Sequence, residues 1–298
     1  MTVLLQPAME TPSPLQTQIR RLVGKLLVRS LRASGAQRGY GELKQRLEEI
    51  IPDISNQYSF LQVNPQDVFL QEKLRNQHAF QMELLLKAMD IYVQDAKREI
   101  VHVVDVGDSS GAHLRYLNEL VKEKGIAIRS MSVNLDPEAV KKIQAQGMAA
   151  RQCRAEKLHL LKDGLSADIF ISYETLEHLF DPIGFLHDIA IHSSCSYFVI
   201  TVPYVRRSRV GLHHLRRRSP DPVYAENTHI FELCPEDWGL IFNFAGWEIV
   251  CQDCYTQYPS AGLLKLTKYL WRRKDFDGFL GVILTRRPEK AAQYRSWS

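Results

Sequence analysis

The run Ile100-Val101-His102-Val103-Val104-Asp105-Val106 constrains this chain more than any other segment. It is dense in β-branched residues, too short to form a typical helix, and ends at Gly107. Such a run suits a strand buried on both faces of a parallel sheet. A helical stretch follows from His113 to Lys124, closed by Gly125. Ala127 to Val133 reads as the next strand, and Pro137 to Gln146 as the next helix, stopped by Gly147. Ala167 to Tyr173 is a third strand, Pro182 to Ile191 a helix, and Tyr197 to Val202 a fourth strand. Strands alternating with helices at this spacing indicate βαβ units and a parallel sheet. Two later strands, Trp247 to Tyr255 and Phe279 to Arg286, are joined by a segment rich in lysine and aromatics.

The residues before Ile100 read differently. The first fifteen hold three prolines and are expected to be disordered. Ile19 to Leu31 forms a basic amphipathic helix, with Ile19, Leu22, Val23, Leu26 and Leu27 on one face. A helix docked on the main body is expected ahead of one lying on a membrane surface. Leu43 to Ile51 is a short helix stopped by Pro52. From Val68 to Val93, apolar residues recur at helical spacing (Leu70, Leu74, Phe80, Leu84, Leu85, Met89). The expected division is a flexible basic segment over 1–35, a helical extension or cap over 36–97, and the α/β domain over 98–298.

Charge and cysteines bound the function. The net charge of the 298 residues is only +4, but the basic residues are uneven. Arg206, Arg207, Arg209, Arg216, Arg217 and Arg218 fall in one stretch without an acid among them. That bias suits an anionic partner. Five scattered cysteines argue against a disulfide framework and for a reducing compartment. Cys251 and Cys254 form a lone CxxC inside a strand, where residues three apart face opposite sides. A zinc site there would need two further ligands, so no metal is expected. No stretch approaches the ~18 apolar residues of a membrane span, and no secretory leader is seen. A cytoplasmic protein is expected, with peripheral membrane contact left open.

The centre of the functional reading is VVDVGDSSGAHL, residues 103 to 114. In an open α/β sheet, ligands bind beyond the carboxyl ends of the strands. Glycine lets the backbone come close to a ligand, and a helix N-terminus offers N–H groups to a carboxylate. An acidic side chain at the strand end can hold a cationic amino group. The segment is not the G-x-G-x-x-G of nicotinamide enzymes. It resembles the first motif of the class I S-adenosylmethionine-dependent methyltransferases, roughly D-x-G-x-G-x-G. Asp105, Gly107 and Gly111 match, and Ser109 replaces the middle glycine.

That resemblance implies an α/β, Rossmann-like, seven-stranded, mostly parallel sheet with helices on both faces, here with an N-terminal helical extension. It also implies S-adenosyl-L-methionine as cofactor. Ser132-Val133-Asn134-Leu135-Asp136-Pro137-Glu138 is similar to the segment that grips the ribose hydroxyls. Asn134 stands at the usual acidic position and Asp136 two residues later. Arg154-Ala155-Glu156 resembles the loop beside the adenine, which implicates Ala155 and Glu156. ADIFISYETLEHLFDPIGFLHDIA, residues 167 to 190, resembles the family's fourth-strand motif. It places Tyr173 and Glu174 by the cofactor, and Glu177 and His178 near methyl transfer. YFVITVPY, residues 197 to 204, matches the fifth strand. The resemblance spans roughly residues 98 to 286.

Family members often carry a histidine before the next helix, which makes His229 a candidate base or substrate contact. Imidazole can take a hydroxyl proton near neutral pH. His213 and His214, in the arginine-rich stretch, are weaker candidates. The leading expectation is O-methylation of a small-molecule or glycan acceptor, anionic if the arginines contact it. An RNA methyltransferase is the alternative enzyme, but no RNA-binding module is visible. The changes at Ser109 and Asn134 also motivate a non-catalytic binding protein on the same fold.

Overall fold

The computed structural model describes residues 13–58, 63–96, 100–122, 124–161, 166–211, 228–274 and 276–292. The strand Ile100–Val106 (β1) is an interior strand of a seven-stranded sheet. On one side it pairs in parallel with Ala127–Asn134 (β2), which pairs with Ala150–Gln152 (β3). On the other side it pairs with Ile169–Tyr173 (β4), and β4 pairs with Tyr197–Tyr204 (β5). A short antiparallel ribbon follows, Arg209–Val210 (β6) with Phe231–Glu232 (β7). The sheet is completed by Trp247–Thr256 (β8) and Gly278–Arg286 (β9). β9 inserts antiparallel between β5 and β8, giving the order β3-β2-β1-β4-β5-β9-β8. Connections leave β1 toward β2 and return toward β4, so the topological switch lies between β1 and β4.

The alternation of β1 divides the core. Val101 and Val103 face one cluster, with Ile169, Ile171, Val199 and Ile283. Val104 and Val106 face the other, with Phe170, Phe198 and Ile200. The second cluster is covered by Pro182–His192 (α6) and Pro235–Phe244 (α7), through Phe185, Ile189, Trp238 and Phe242. The first is covered by three helices: Gly41–Ile50 (α2), Val68–Ala96 (α3) and Ala112–Lys122 (α4). Thus the helices preceding β1 share one hydrophobic core with the sheet. α3 lies so close to β9 that a Cβ on Gly281 would come within 2.1 Å of Leu84 Cδ1 and 2.7 Å of Phe80 Cζ. Arg75 ties the layer together, donating to the carbonyls of Leu47, Ile51 and Pro52 and to the Tyr116 hydroxyl.

The first helix, Pro14–Gln37 (α1), is longer than its periodicity predicts. Residues 14 and 15, expected to be disordered, form its start, because proline is well suited to a first helical turn. Residues 1–12 lie outside the described residues. Leu27 and Leu31 dock on Tyr258 and Trp271, as expected of a helix packed on the main body. Pro137–Gln144 (α5) begins behind Asp136, whose side chain accepts from Glu138 N. The strand β3, implied before Arg154 by the resemblance but marked by no local pattern, has three residues and buries only Ala150. Two short helices, Lys268–Lys274 (α8) and Pro288–Ala291 (α9), complete the described chain. No helix among the described residues is long and apolar enough to cross a membrane.

Candidate active site

The carboxyl ends of β1, β2 and β4 open on one cavity of 680 Å³. Gly107 forms the turn out of β1 with φ +97°, and its N–H donates to Val133 O at 2.8 Å. A Cβ there would lie 2.1 Å from Thr175 Oγ1. Glycine therefore serves both conformation and close approach. Ser109 lines the cavity beside it.

The start of α4 departs from expectation. Its amides were expected to be open to a ligand carboxylate. Instead Asp108 Oδ1 accepts from Ser110 N at 3.0 Å and from Gly111 N at 2.7 Å. The chain thus caps its own helix. The other Asp108 oxygen accepts from Ser132 Oγ at 2.6 Å.

Asn134 and Asp136 both line the cavity. Asn134 Nδ2 donates to Asp108 O at 2.8 Å, and its Oδ1 accepts from Asp136 N at 2.8 Å. The amide thus braces the Gly107 turn against the end of β2, a bond that a carboxylate could not donate. Ala155 and Glu156 open the 3₁₀ turn Ala155–Leu160 on the same wall. Glu156 Oε1 accepts from Phe180 N at 3.3 Å. Arg154 stacks over the exposed Phe180 ring at 5.5 Å, at the cavity margin.

Tyr173 and Glu174 end β4 and face the cavity. The Tyr173 hydroxyl donates to Gln81 O at 3.3 Å. Glu174, with φ +50°, is the one non-glycine residue in the left-handed region among the described residues. Backbone strain of this kind concentrates at functional sites. The chain then forms a 3₁₀ turn, Leu176–His178, which brings Glu177 and His178 beneath His229. Ile230 N donates to Glu177 O at 2.7 Å and His178 Nδ1 to Thr228 O at 2.9 Å. His229 Nδ1 lies 2.9 Å from Glu232 Oε1, and Arg209 pairs with the other Glu232 oxygen. Those two partners outweigh burial and hold the Glu232 carboxyl below its usual range. Glu177 is fully buried, and neither of its oxygens has a hydrogen-bond partner among the described residues. Burial, and then the Glu174 charge, push its carboxyl well above the usual range.

The structure therefore brings Gly107, Ser109, Asn134, Asp136, Ala155, Glu156, Tyr173, Glu174, Glu177, His178 and His229 to one cavity. It sets Asp105 and Gly111 behind the wall. Asp105 is 1 % exposed and lies 3.2 Å from His113 Nδ1. A Cβ on Gly111 would come within 2.0 Å of Met148 Cε. Among the basic residues, Arg206 and Arg207 are exposed. His213, His214 and Arg216 to Arg218 lie outside the described residues.

Sequence reasoning read α3 as part of a helical extension or cap but named none of the polar residues with which it lines the cavity, Lys73, Gln77, His78 and Gln81. The signal was the polar run Arg75-Asn76-Gln77-His78 and Gln81, set between the apolar residues of the same helix and all of it buried. His113 was also missed. It links Asp105 to Gln81 Oε1, 3.1 Å from its Nε2, and Gln81 Nε2 donates to Thr201 Oγ1 at 3.1 Å.

A family model described as a methyltransferase domain matches residues 104–191, the stretch that supplies most of the cavity's strand-end wall. No curated protein matches the chain by sequence. Solved structures with a similar fold include an S-adenosylmethionine-dependent methyltransferase from Archaeoglobus fulgidus, 18% identical, covering 75% of this chain and all of its own (TM-score 0.47). Another, from Mesorhizobium loti, is 16% identical and covers 65% of this chain and 95% of its own (TM-score 0.44). A third is the 1,6-didemethyltoxoflavin-N1-methyltransferase of Burkholderia thailandensis, 17% identical, covering 67% and 77% (TM-score 0.46). These likenesses lie at the level of the fold. Residues 104–191, which carry the Gly107 turn, the Asn134 and Ala155 loops and the Glu177–His178 turn, are thus similar to a methyltransferase domain.

Proposed function

We propose that the protein transfers a methyl group from S-adenosylmethionine to a hydroxyl oxygen of a small-molecule or glycan acceptor. The observation that carries this reading is the single cavity joining the Gly107, Asn134 and Ala155 wall to the Glu177, His178 and His229 wall. Its volume is in the range of small-ligand and cofactor sites. The wall suits the cofactor: Gly107, at φ +97°, keeps the turn free of a side chain, and Asn134 and Ala155 line the same cavity. The bound cofactor supplies a methyl group already activated on a sulfonium, so the protein's task is alignment and exclusion of water. Gly107 and Ser109 would hold the amino-acid end, Asn134 and Asp136 the ribose side, and Ala155 and Glu156 the base.

At the other end an acceptor hydroxyl must lose its proton. Donation from His229 Nδ1 to Glu232 fixes the tautomer with the lone pair on Nε2. That nitrogen can take the proton. Arg206 and Arg207, exposed beyond the end of β5, are the cations that would favour an acidic acceptor.

The test is calorimetric titration with S-adenosylhomocysteine, followed by transfer of labelled methyl to metabolite, glycan and RNA fractions. Saturable binding and label in the small-molecule or glycan fraction are expected. Label in RNA would replace the acceptor class. No binding would leave a non-catalytic protein on this fold.

A further inference from the structure

The Glu177, His178 and His229 cluster has a second feature that base catalysis leaves unused. One ligating atom from each residue lies within 4.8 Å of the other two. His178 Nε2 and Glu177 Oε1 are 3.8 Å apart, and the two imidazole rings meet edge to face at 4.8 Å. Each histidine is oriented from behind: His178 Nδ1 donates to Thr228 O, and His229 Nδ1 to the Glu232 carboxylate. Both bonds select the neutral tautomer with its lone pair on Nε2. Histidines oriented in this way by a carbonyl or a carboxylate are the usual partners of a metal ion. Glu177 supplies the missing charge. It is a fully buried carboxyl whose two oxygens lack hydrogen-bond partners among the described residues. An isolated buried carboxylate is costly unless a cation or donor meets it.

We propose that Glu177, His178 and His229 bind one divalent transition-metal cation at the acceptor end of the cavity. Two imidazoles and one carboxylate suit Mn²⁺, Fe²⁺ or Zn²⁺ better than Mg²⁺ or Ca²⁺. All three residues line the cavity, which leaves the remaining coordination positions facing the acceptor. The chemical role rests on the O-methylation reading. The cation lowers the pKa of the acceptor hydroxyl, which loses its proton to solvent. The oxygen then forms its bond to the methyl carbon as the carbon–sulfur bond breaks, giving the methyl ether and S-adenosylhomocysteine. His229 then acts as a ligand in place of a base.

The experiment titrates MnCl₂ into chelator-treated full-length protein, followed by the loss of the free Mn²⁺ paramagnetic resonance signal. Cysteines and exposed carboxylates contribute little to this readout at low metal. One saturable site per chain is expected, weakened at least about 30-fold in Glu177→Gln and in His229→Gln. Both variants are checked for wild-type circular dichroism. Glu177→Gln is nearly isosteric and removes a buried charge, so it keeps the measurement interpretable if His229→Gln fails to fold. Absence of a saturable site, or equal affinity in Glu177→Gln, would overturn the proposal. Failure of S-adenosylhomocysteine to bind would instead remove the methyltransferase reading and leave the metal site standing.

A separate observation concerns α1. Its buried face carries Leu27, Ser30 and Leu31, but Leu15, Ile19, Leu22 and Leu26 are exposed and recur at helical spacing as one stripe. The 3₁₀ turn Leu263–Thr267 packs on this helix, with Ser30 Oγ 2.7 Å from Thr267 Oγ1. It adds exposed Leu263 and Leu266, Leu263 being 88 % exposed, and α8 adds exposed Tyr269. Around them stand Arg20, Arg21, Lys25, Arg29, Lys265, Lys268 and Arg273, with no acid in α1 or in 263–273. Leucines ringed by cations fit the interface of an anionic bilayer, where apolar burial and charge attraction act together.

We infer that this face docks the protein on an anionic membrane. Full-length protein is sedimented with vesicles of phosphatidylcholine and phosphatidylglycerol, three parts to one, and with phosphatidylcholine alone. Preferential binding to the anionic vesicles is expected, weakened by salt and at least about tenfold in the double variant Leu22→Asp, Leu266→Asp. No binding, equal binding by the variant, or a dimer in solution that the variant dissociates would overturn it.

Discussion

Gly107 concentrates two constraints in one residue. A side chain must adopt φ +97° and must also occupy the space of the Thr175 side chain. Gly107→Val is expected to lower S-adenosylhomocysteine affinity at least about 30-fold and to cost about 1–3 kcal/mol of stability. Calorimetry and urea unfolding measure the two effects. Adding Thr175→Ala relieves the contact but leaves the backbone strain, so only part of the stability should return. Wild-type affinity in Gly107→Val would show that the turn does not face the cofactor. Asp105 gives a pH prediction. Burial, and then the Asp108 charge, push its carboxyl up to about 7, against the opposing bond to His113. The carboxyl in turn raises the His113 imidazole despite its burial. Both folded values lie above the unfolded ones, so both contributions are present at low pH and fade as pH rises. For Asp105 the loss runs from about pH 4 to about pH 7. Relative to Asp105→Asn, the wild type should therefore lose about 2–4 kcal/mol between about pH 5 and pH 8. Unfolding midpoints of the two proteins across that range test this. Parallel curves would mean that the pair does not titrate there.

At the scale of the element, α3 is both a wall of the cavity and a layer of the core. Its contact with β9 is close enough that Gly281 has room for no side chain. Gly281→Val is expected to push the helix from the sheet and to cost about 1–3 kcal/mol, as overpacked cores do. Because Gln77, His78 and Gln81 ride on the same helix, cofactor affinity should fall with stability. Urea midpoints and S-adenosylhomocysteine titration on the same variant check the coupling. A stability loss with unchanged affinity would separate the two roles of α3.

For the whole molecule, the sharing of one core decides how the chain can be cut. Leu47, Leu74, Phe80 and Met89 lie in the same cluster as Val103, Ile171 and Ile283. A fragment beginning at residue 98 would expose that face of the sheet to water. It is expected to be insoluble or to behave as a molten globule, binding anilinonaphthalene sulfonate and lacking near-ultraviolet circular dichroism. A cooperative, monomeric fragment would show instead that 98–298 folds alone. For the intact chain, S-adenosylhomocysteine at about a hundred times its dissociation constant should add about 2.7 kcal/mol to unfolding.

The sequence by itself determined the parallel strands and the helices between them, because β-branched runs such as Ile100–Val106 and capped helices such as Pro137–Gln144 are local patterns. It determined the Gly107 turn for the same reason, and it marked Glu174, Glu177 and His178 as one segment. It also marked β8 and β9 as two later strands, but not that β9 enters between β5 and β8. Strand order depends on contacts between residues far apart in the chain, which no local period records. Tertiary structure alone set Asp105 against His113 and decided which α3 residues line the cavity. It also turned Asp108 onto its own helix, a bond that a ligand was expected to fill. It brought His229 across fifty positions to Glu177 and His178, since Thr228 and Ile230 are bonded to that turn. The chemistry of each residue was fixed by its identity. Which residues share a site was fixed by packing, because burial energy depends on surfaces that meet only when the sheet has closed.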